Sequence, residues 1–128
     1  MDVYPLLWSS DVGAIADWAQ RCLGLTESWR AADDDGTVEH SELLWPGGMV
    51  SINTKRDTFA ESGPSGIALR VDDRRRVDEL YTQATAAGAT IVQGPEESLV
   101  AYSFTAVDAD GNQWWVNAET GFLDGLRT

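Results

Sequence analysis

The chain states one pattern twice. A strand-like run leads to an acidic residue, an amphipathic helix follows and stops at glycine, and three further strand-like runs come after it. The first copy starts at Val3-Tyr4-Pro5-Leu6-Leu7-Trp8, opens its helix at Asp11 and closes it at Cys22-Leu23-Gly24. The second starts at Ile67-Ala68-Leu69-Arg70-Val71, opens at Asp72-Asp73 and closes at Ala86-Ala87-Gly88. A repeat of this kind constrains architecture before any single residue constrains chemistry. A chain of 128 residues holds two such units and little else, and the repeat predicts a ligand site in the hollow that the two copies make together.

The periodicity assigns the elements. Val12, Ile15, Ala16, Ala19, Cys22 and Leu23 fall on one helical stripe, and Val77, Leu80, Tyr81, Ala84 and Ala87 repeat it, the spacing of a helix lying on a sheet. Gly24 and Gly88 supply the left-handed position that ends each helix. Strands are predicted over Thr26–Arg30, Thr37–Trp45 and Met49–Asn53, with turns at Asp33-Asp34-Asp35-Gly36 and Pro46-Gly47-Gly48. In the second copy a strand begins at Thr90–Val92, Gly94-Pro95-Glu96-Glu97 reads as a loop, and strands at Ala101–Val107 and Gln113–Asn117 flank the turn Asp108-Ala109-Asp110-Gly111. The fold class is therefore α+β: two βαβββ modules forming a curved mixed sheet around a cavity, helices on the outside. The expected organisation is one domain over 1–128, with module one at 1–54, a linker at 55–65, module two at 66–119 and a tail at 120–128 whose Phe122, Leu123 and Leu126 cap an edge or a dimer contact.

Charge narrows the partners. The formal net charge is −12 at pH 7, and Asp33-Asp34-Asp35 and Glu96-Glu97 concentrate the excess. That field repels phosphate backbones and anionic lipid, so nucleic acid and membrane surfaces are poor partners and a neutral or cationic small molecule is a better one. Arg74-Arg75-Arg76, in the first turn of the second helix, reads as a solvated face. Cys22 is the single cysteine, so no intramolecular disulfide forms, and its place on the apolar helix stripe makes it a core residue. The N-terminus lacks a basic region followed by an apolar run, and no segment reaches the ~20 apolar residues of a membrane span, which predicts a cytoplasmic protein. Of the six tryptophans, half or more are expected to fill the core and the rest to line an aromatic pocket.

Three stretches together carry a family resemblance: Asp11-Val12 through Trp18 to Leu23-Gly24, Val38-Glu39-His40-Ser41-Glu42-Leu43, and Asp108-Ala109-Asp110-Gly111-Asn112-Gln113-Trp114. In order and spacing they resemble the glyoxalase/bleomycin-resistance/extradiol-dioxygenase (vicinal oxygen chelate) superfamily. The resemblance implies paired βαβββ units and, for a chain with two of them, a homodimer whose partners complete each other's cavities. It leaves the activity open, since members include metal-dependent lyases, isomerases and dioxygenases as well as metal-free proteins that sequester antibiotics. In the enzymes a His in the first strand precedes the helix-opening Asp; Tyr4 holds that place here. A carboxylate ends the fourth strand, where this chain has Ser51 or Asn53; a His begins the second module, where Gly66 stands; and a Glu follows the Gly-Asn turn, where Trp115 stands. These side chains supply almost none of the imidazole, carboxylate or thiolate that a transition metal requires, so neither a metal nor a cofactor is expected.

Strand alternation places Tyr4, Leu6 and Trp8 together, Met49, Ser51 and Asn53 together, Gly66, Ala68 and Arg70 together, and Gln113, Trp115 and Asn117 together. The predicted cavity face is aromatic, with scattered hydrogen-bonding groups and two small residues that make room, the composition of a pocket for a flat organic ligand. Tyr4, Trp8 and Trp115 would stack on the ligand, Asn53, Tyr102 and Arg70 would orient it, and Glu42 and Glu97 would attract a cation. His40, with Glu42 two residues on along the same strand face, is the candidate acid–base pair. The resulting expectation is a metal-free, homodimeric protein that binds a small aromatic or cationic compound, with drug sequestration as its role. The competing readings are an enzyme of the superfamily, either metal-dependent or using His40 and Glu42, and an accessory protein with a filled cavity.

Overall fold

In the computed structural model residues 3–55 and 64–121 are described. Phe122, Leu123 and Leu126, and most of the expected linker, lie outside them. The chain divides into two units, Met1–Ser65 and Gly66–Thr128. The first contains β1 (Leu6–Ser9), α1 (Val12–Leu23), β2 (Thr26–Ala32), β3 (Val38–Trp45) and β4 (Gly48–Thr54). The second contains β5 (Gly66–Arg70), α2 (Arg74–Ala86), β6 (Thr90–Glu97), β7 (Ala101–Val107) and β8 (Gln113–Glu119). The sheets have the same topology, ordered β1-β4-β3-β2 and β5-β8-β7-β6, and in each the first strand runs parallel to the last while the other pairs are antiparallel. The α+β reading and its βαβββ repeat are thus correct.

The local chemistry explains where each helix begins and ends. Asp11 caps α1 by accepting the Ala14 N–H at 3.1 Å, and its own N–H donates to Ser9 Oγ at 3.0 Å. Gly24 takes a φ of 78° and donates to the Gln20 carbonyl, while Leu25 donates to that of Ala19, which satisfies the last carbonyls of the helix. In the second unit Asp73 is the cap, accepting from Arg76 N–H at 3.0 Å, and Gly88 turns the chain at φ 85°.

Each helix covers one face of its own sheet. In the first unit Leu7, Leu43, Val50 and Ile52 are buried with Val12, Ile15, Ala16, Ala19 and Leu23. In the second, Ile67, Leu69, Phe104, Ala106, Trp114 and Val116 are buried with Val77, Leu80 and Ala84, and Tyr81 meets Phe104 edge-on with ring centroids 5.5 Å apart. Complete burial of a side chain the size of Ile52 stabilises by about 2 kcal/mol. Cys22 sits inside this core, as its helical stripe predicts. No helix among the described residues is long and apolar enough to cross a membrane.

Two expectations need correction. The segment Gly94-Pro95-Glu96-Glu97 is part of β6 and not a loop. β6 is the edge strand, where proline costs no ladder bond, and irregularities between Ile91 and Gln93 and between Gln93 and Glu96 absorb the misfit. The tryptophans, in turn, mostly stay out of the core: Trp114 alone of the six is buried, and Trp29 is 50 % exposed. Trp114 is affordable inside because its indole N–H has a buried acceptor.

That acceptor is Asp108. Its carboxylate accepts from the N–H groups of Asp110 and Asn112 at 3.0 and 2.9 Å, from Asn112 Nδ2, and from Trp114 Nε1 at 2.9 Å. Gly111, at φ 86°, lets the turn close. The Asp-Ala-Asp-Gly-Asn motif is therefore a folding device. Asp33 builds a similar turn, accepting from Asp35 and Thr37 N–H beside Gly36, so one of the acidic residues credited to the surface field is spent on the backbone.

Two predictions follow from this core. Asp108→Ala orphans buried donors and should cost about 3 kcal/mol in urea unfolding, against about 1 kcal/mol for the exposed cap variant Asp11→Ala; equal losses would contradict the assignment. Burial pushes the Cys22 thiol above its ordinary value of 9.0, with the Arg21 charge opposing. The folded state then keeps a proton that the unfolded chain releases, so the Cys22 contribution is complete below about pH 9 and declines as pH rises through the folded value. Native protein should resist thiol reagents at pH 8 until urea is added, and rapid native labelling would contradict the burial.

Candidate functional site

The face of each sheet away from its helix carries the chemistry. In the first unit the register sets Leu6, Ser51, Glu42 and Trp29 in one row and Trp8, Asn53, His40 and Ala31 in the next. Asn53 Nδ2 donates to Ser51 Oγ at 2.9 Å, which leaves its Oδ1 to face His40 Nδ1 at 2.5 Å. Nδ1 therefore carries the hydrogen of that bond. The other ring nitrogen, Nε2, lies 3.4 Å from Glu42 Oε1, and Glu42 Oε2 accepts the Trp29 indole N–H at 2.8 Å. The Trp29 and His40 rings lie against one another with centroids 4.9 Å apart. Ser51, Asn53 and His40 are thus joined by hydrogen bonds across β4 and β3, Glu42 and Trp29 by another across β3 and β2, and Nε2 links the two groups only when the ring carries both hydrogens.

The second unit places different residues at the matching register positions. Gly66 pairs with Gln113, Ala68 with Trp115 and Arg70 with Asn117; across β8, Thr105 opposes Trp115 and Ser103 opposes Asn117. Gln93 ties β6 to β7, donating to Ser103 Oγ at 3.3 Å and accepting from Thr105 Oγ1 at 3.1 Å. Arg70 pairs with Glu119 at 2.7 Å. A hollow of about 300 Å³ lies on this face, lined by Gly66, Ile67, Ala68, Thr105, Gln113 and Trp115. A Cβ built on Gly66 would meet nothing nearer than the Gln113 carbonyl at 4.0 Å, so its missing side chain helps to form the hollow.

These positions sort the expected site residues. His40, Glu42, Asn53 and Trp8 share the helix-free face of the first unit, and Arg70 and Trp115 share that of the second. Tyr4 precedes β1 and is exposed. Tyr102 stands on the wrong side to join them: its hydroxyl donates to Asp78 on α2 at 2.6 Å, and the Arg74 guanidinium lies 4.2 Å above its ring. That hydrogen bond, then desolvation, push the phenol above its ordinary value of 10.0. Glu97, considered for cation attraction, pairs with Arg74 at 3.3 Å. Trp29, Gln93, Ser103 and Thr105 join the helix-free faces without having been singled out. The β2 irregularity between Glu27 and Trp29 and those in β6 shift the side-chain parity, so alternation alone does not find Trp29 or Gln93.

The donor chemistry does not fit a conventional metal centre. Among the described residues no three His, Cys, Asp or Glu side chains gather as a metal set, and Tyr4, Asn53, Gly66 and Trp115, the positions the resemblance points to, offer no imidazole, carboxylate or thiolate.

The family model for the Glyoxalase/Bleomycin resistance protein/Dioxygenase superfamily matches residues 3–116, and the chain belongs to that superfamily. Among solved structures, TioX from Micromonospora sp. ML1 is 26% identical with a TM-score of 0.76, the match covering 92% of this chain and 98% of that one. A glyoxalase/bleomycin resistance protein/dioxygenase family enzyme from Burkholderia phytofirmans PsJN, 23% identical, superposes at a TM-score of 0.72 over 90% of this chain and 95% of its own. Lactoylglutathione lyase from Agrobacterium tumefaciens, 17% identical, gives 0.71 over 92% of each chain. At those identities the last two show the fold alone. No curated protein matches.

The His40 tautomer is directly testable. Nitrogen-15 spectra of the neutral imidazole should show its hydrogen on Nδ1, and Asn53→Leu should remove that preference; a neutral ring with its hydrogen on Nε2 would contradict the His40–Asn53 hydrogen bond.

Proposed function

We propose that this chain is a metal-independent small-molecule-binding member of the superfamily, a cytoplasmic homodimer that takes a flat aromatic compound, cationic by preference, and sequesters it. The observation that carries the reading is the hollow beside Trp115, where Gly66 and Ala68 give up side-chain volume opposite an indole. Its volume of about 300 Å³ reaches the lower end of the ~300–1,000 Å³ range of small-molecule sites. Thr105 and Gln113 provide polar groups at its wall, and the net charge of −12 favours a cation over an anion. The donor chemistry of the described residues, with no gathered His, Cys, Asp or Glu set, favours binding by contact and stacking over Lewis-acid chemistry.

A second reading rests on the first unit. His40 is held through Nδ1 by Asn53 while Nε2 faces Glu42, an order that suits an acid–base pair. In that reading the protein turns its ligand over, and His40→Ala abolishes turnover while binding persists.

Proflavine, a flat aromatic cation, tests the first reading by fluorescence titration. Native protein should bind it, Trp115→Ala should weaken binding about tenfold, and Gly66→Trp, which fills open space without backbone strain, should abolish it. Affinities unchanged in both variants would refute the site.

A further inference from the structure

We infer that the helix-free face of the first unit seats the protonated nitrogen of a primary or secondary alkylamine, whose N–H groups are shared between His40 Nε2 and Glu42 Oε1 while its apolar body lies on Trp29. None of these residues lines the hollow beside Trp115, so the inference does not rest on that site. It takes over the His40–Glu42 pair of the second reading, gives that pair a ligand class, and stands without turnover. Both side chains are open to a docked molecule: His40 is 24 % and Glu42 22 % exposed, and Trp29 beside them is 50 % exposed.

The seat follows from a count of hydrogens. Asn53 Nδ2 gives one to Ser51 Oγ, His40 Nδ1 gives one to Asn53 Oδ1, and the Trp29 indole gives one to Glu42 Oε2. The neutral ring then presents Nε2 as an acceptor, and what it faces at 3.4 Å is another acceptor, Oε1. Among the described residues neither atom accepts a hydrogen bond from another group. Two lone pairs so placed repel, and a cation that gives a hydrogen to each turns the repulsion into two charge-assisted bonds. A nitrogen about 2.9 Å from both atoms does this with each N–H bent by only about 20°. A second ring hydrogen bridges the same pair from within, so the amine competes with a proton. Two ligating atoms fall short of the roughly three or four that a zinc-type site draws from its protein, which sets a metal ion aside.

The internal repeat shows that this seat is a property of the first unit. In the second unit Ser103 and Thr105 match His40 and Glu42, and Gln93 matches Trp29. Gln93 brings a donor and an acceptor together: its Nε2 donates to Ser103 Oγ at 3.3 Å and its Oε1 accepts from Thr105 Oγ1 at 3.1 Å, which closes the position from within. Trp29 brings one donor and no acceptor, and that donor is committed to Glu42 Oε2. Because Oε2 meets the edge of the indole, a nitrogen held on Oε1 stands close to that ring. A spacer of roughly two carbons carries an aromatic group from the nitrogen back onto the exposed indole. The ligand class is therefore an arylalkylamine that keeps its N–H groups.

The test titrates native protein calorimetrically at pH 8 with 2-(1-naphthyl)ethylamine, charged at that pH, and with its N,N-dimethyl and N,N,N-trimethyl ammonium derivatives. All carry the same ring and charge, and they differ in the hydrogens on nitrogen. The primary ion should bind about tenfold more tightly than the trimethyl ion, with the dimethyl ion between them. In Glu42→Gln the amide oxygen still accepts the Trp29 N–H and the amide NH2 turns to Nε2, so the seat closes from within; the primary ion should weaken about tenfold there and lose its advantage over the trimethyl ion. Equal affinities of the primary and trimethyl ions for native protein would mean a general pull on cations and would overturn the inference. Weakening in Trp115→Ala with none in Glu42→Gln would put the amine in the hollow, which overturns the inference and leaves the first reading standing. Failure of all three ions to bind overturns it as well, whereas the proflavine titration decides the hollow separately.

Discussion

Each sheet has a helix on one face only, so every polar side chain on the other face must be satisfied by its neighbours in the sheet or by something that docks there. The constraint comes from the two-residue period of a strand. It commits Leu7, Leu43, Val50 and Ile52 to the helix in one unit and Ile67, Leu69, Trp114 and Val116 in the other. The intervening residues are left to carry chemistry. In the first unit they solve most of the problem internally, Asn53 bonding to Ser51 and His40, and Glu42 to Trp29. In the second, Gln93 ties Ser103 and Thr105 together, yet Asn117 keeps a buried oxygen without a donor among the described residues, and a hollow opens beside Trp115.

The two copies therefore share their framework and differ where the framework is silent. Aspartate caps, glycine helix ends and strand order recur in both. On the helix-free faces, Trp29 matches Gln93, His40 matches Ser103, Glu42 matches Thr105 and Ser51 matches Trp115, as the paired registers require. None of these exchanges touches an apolar residue packed under the helix, which is why one scaffold accommodates a polar network in one half and a hollow in the other.

Most of the architecture was legible in the sequence because it rests on local signals: helical periodicity, Asp caps, glycine at left-handed positions and the Asp108 turn. What escaped was set by partners distant in the chain. Gly94-Pro95 reads as a break until β6 proves to be an edge strand, where proline is tolerated. Tyr102 is assignable to a face only once α2 brings Asp78 and Arg74 to it. Trp29 and Gln93 are hidden by irregular register, and Trp114 is set apart from the other tryptophans by the buried Asp108 carboxylate that accepts its N–H. His40, Glu42 and Asn53 were legible as candidates, since they fall on regular stretches of β3 and β4.

The proposal that this member of the superfamily works by organic recognition without a resident metal is tested most directly by native mass spectrometry of freshly purified protein. The spectrum should show no stoichiometric divalent ion on the folded protein, with or without a retained small molecule. One divalent ion per chain, surviving gentle desalting and lost only with the fold, would contradict it.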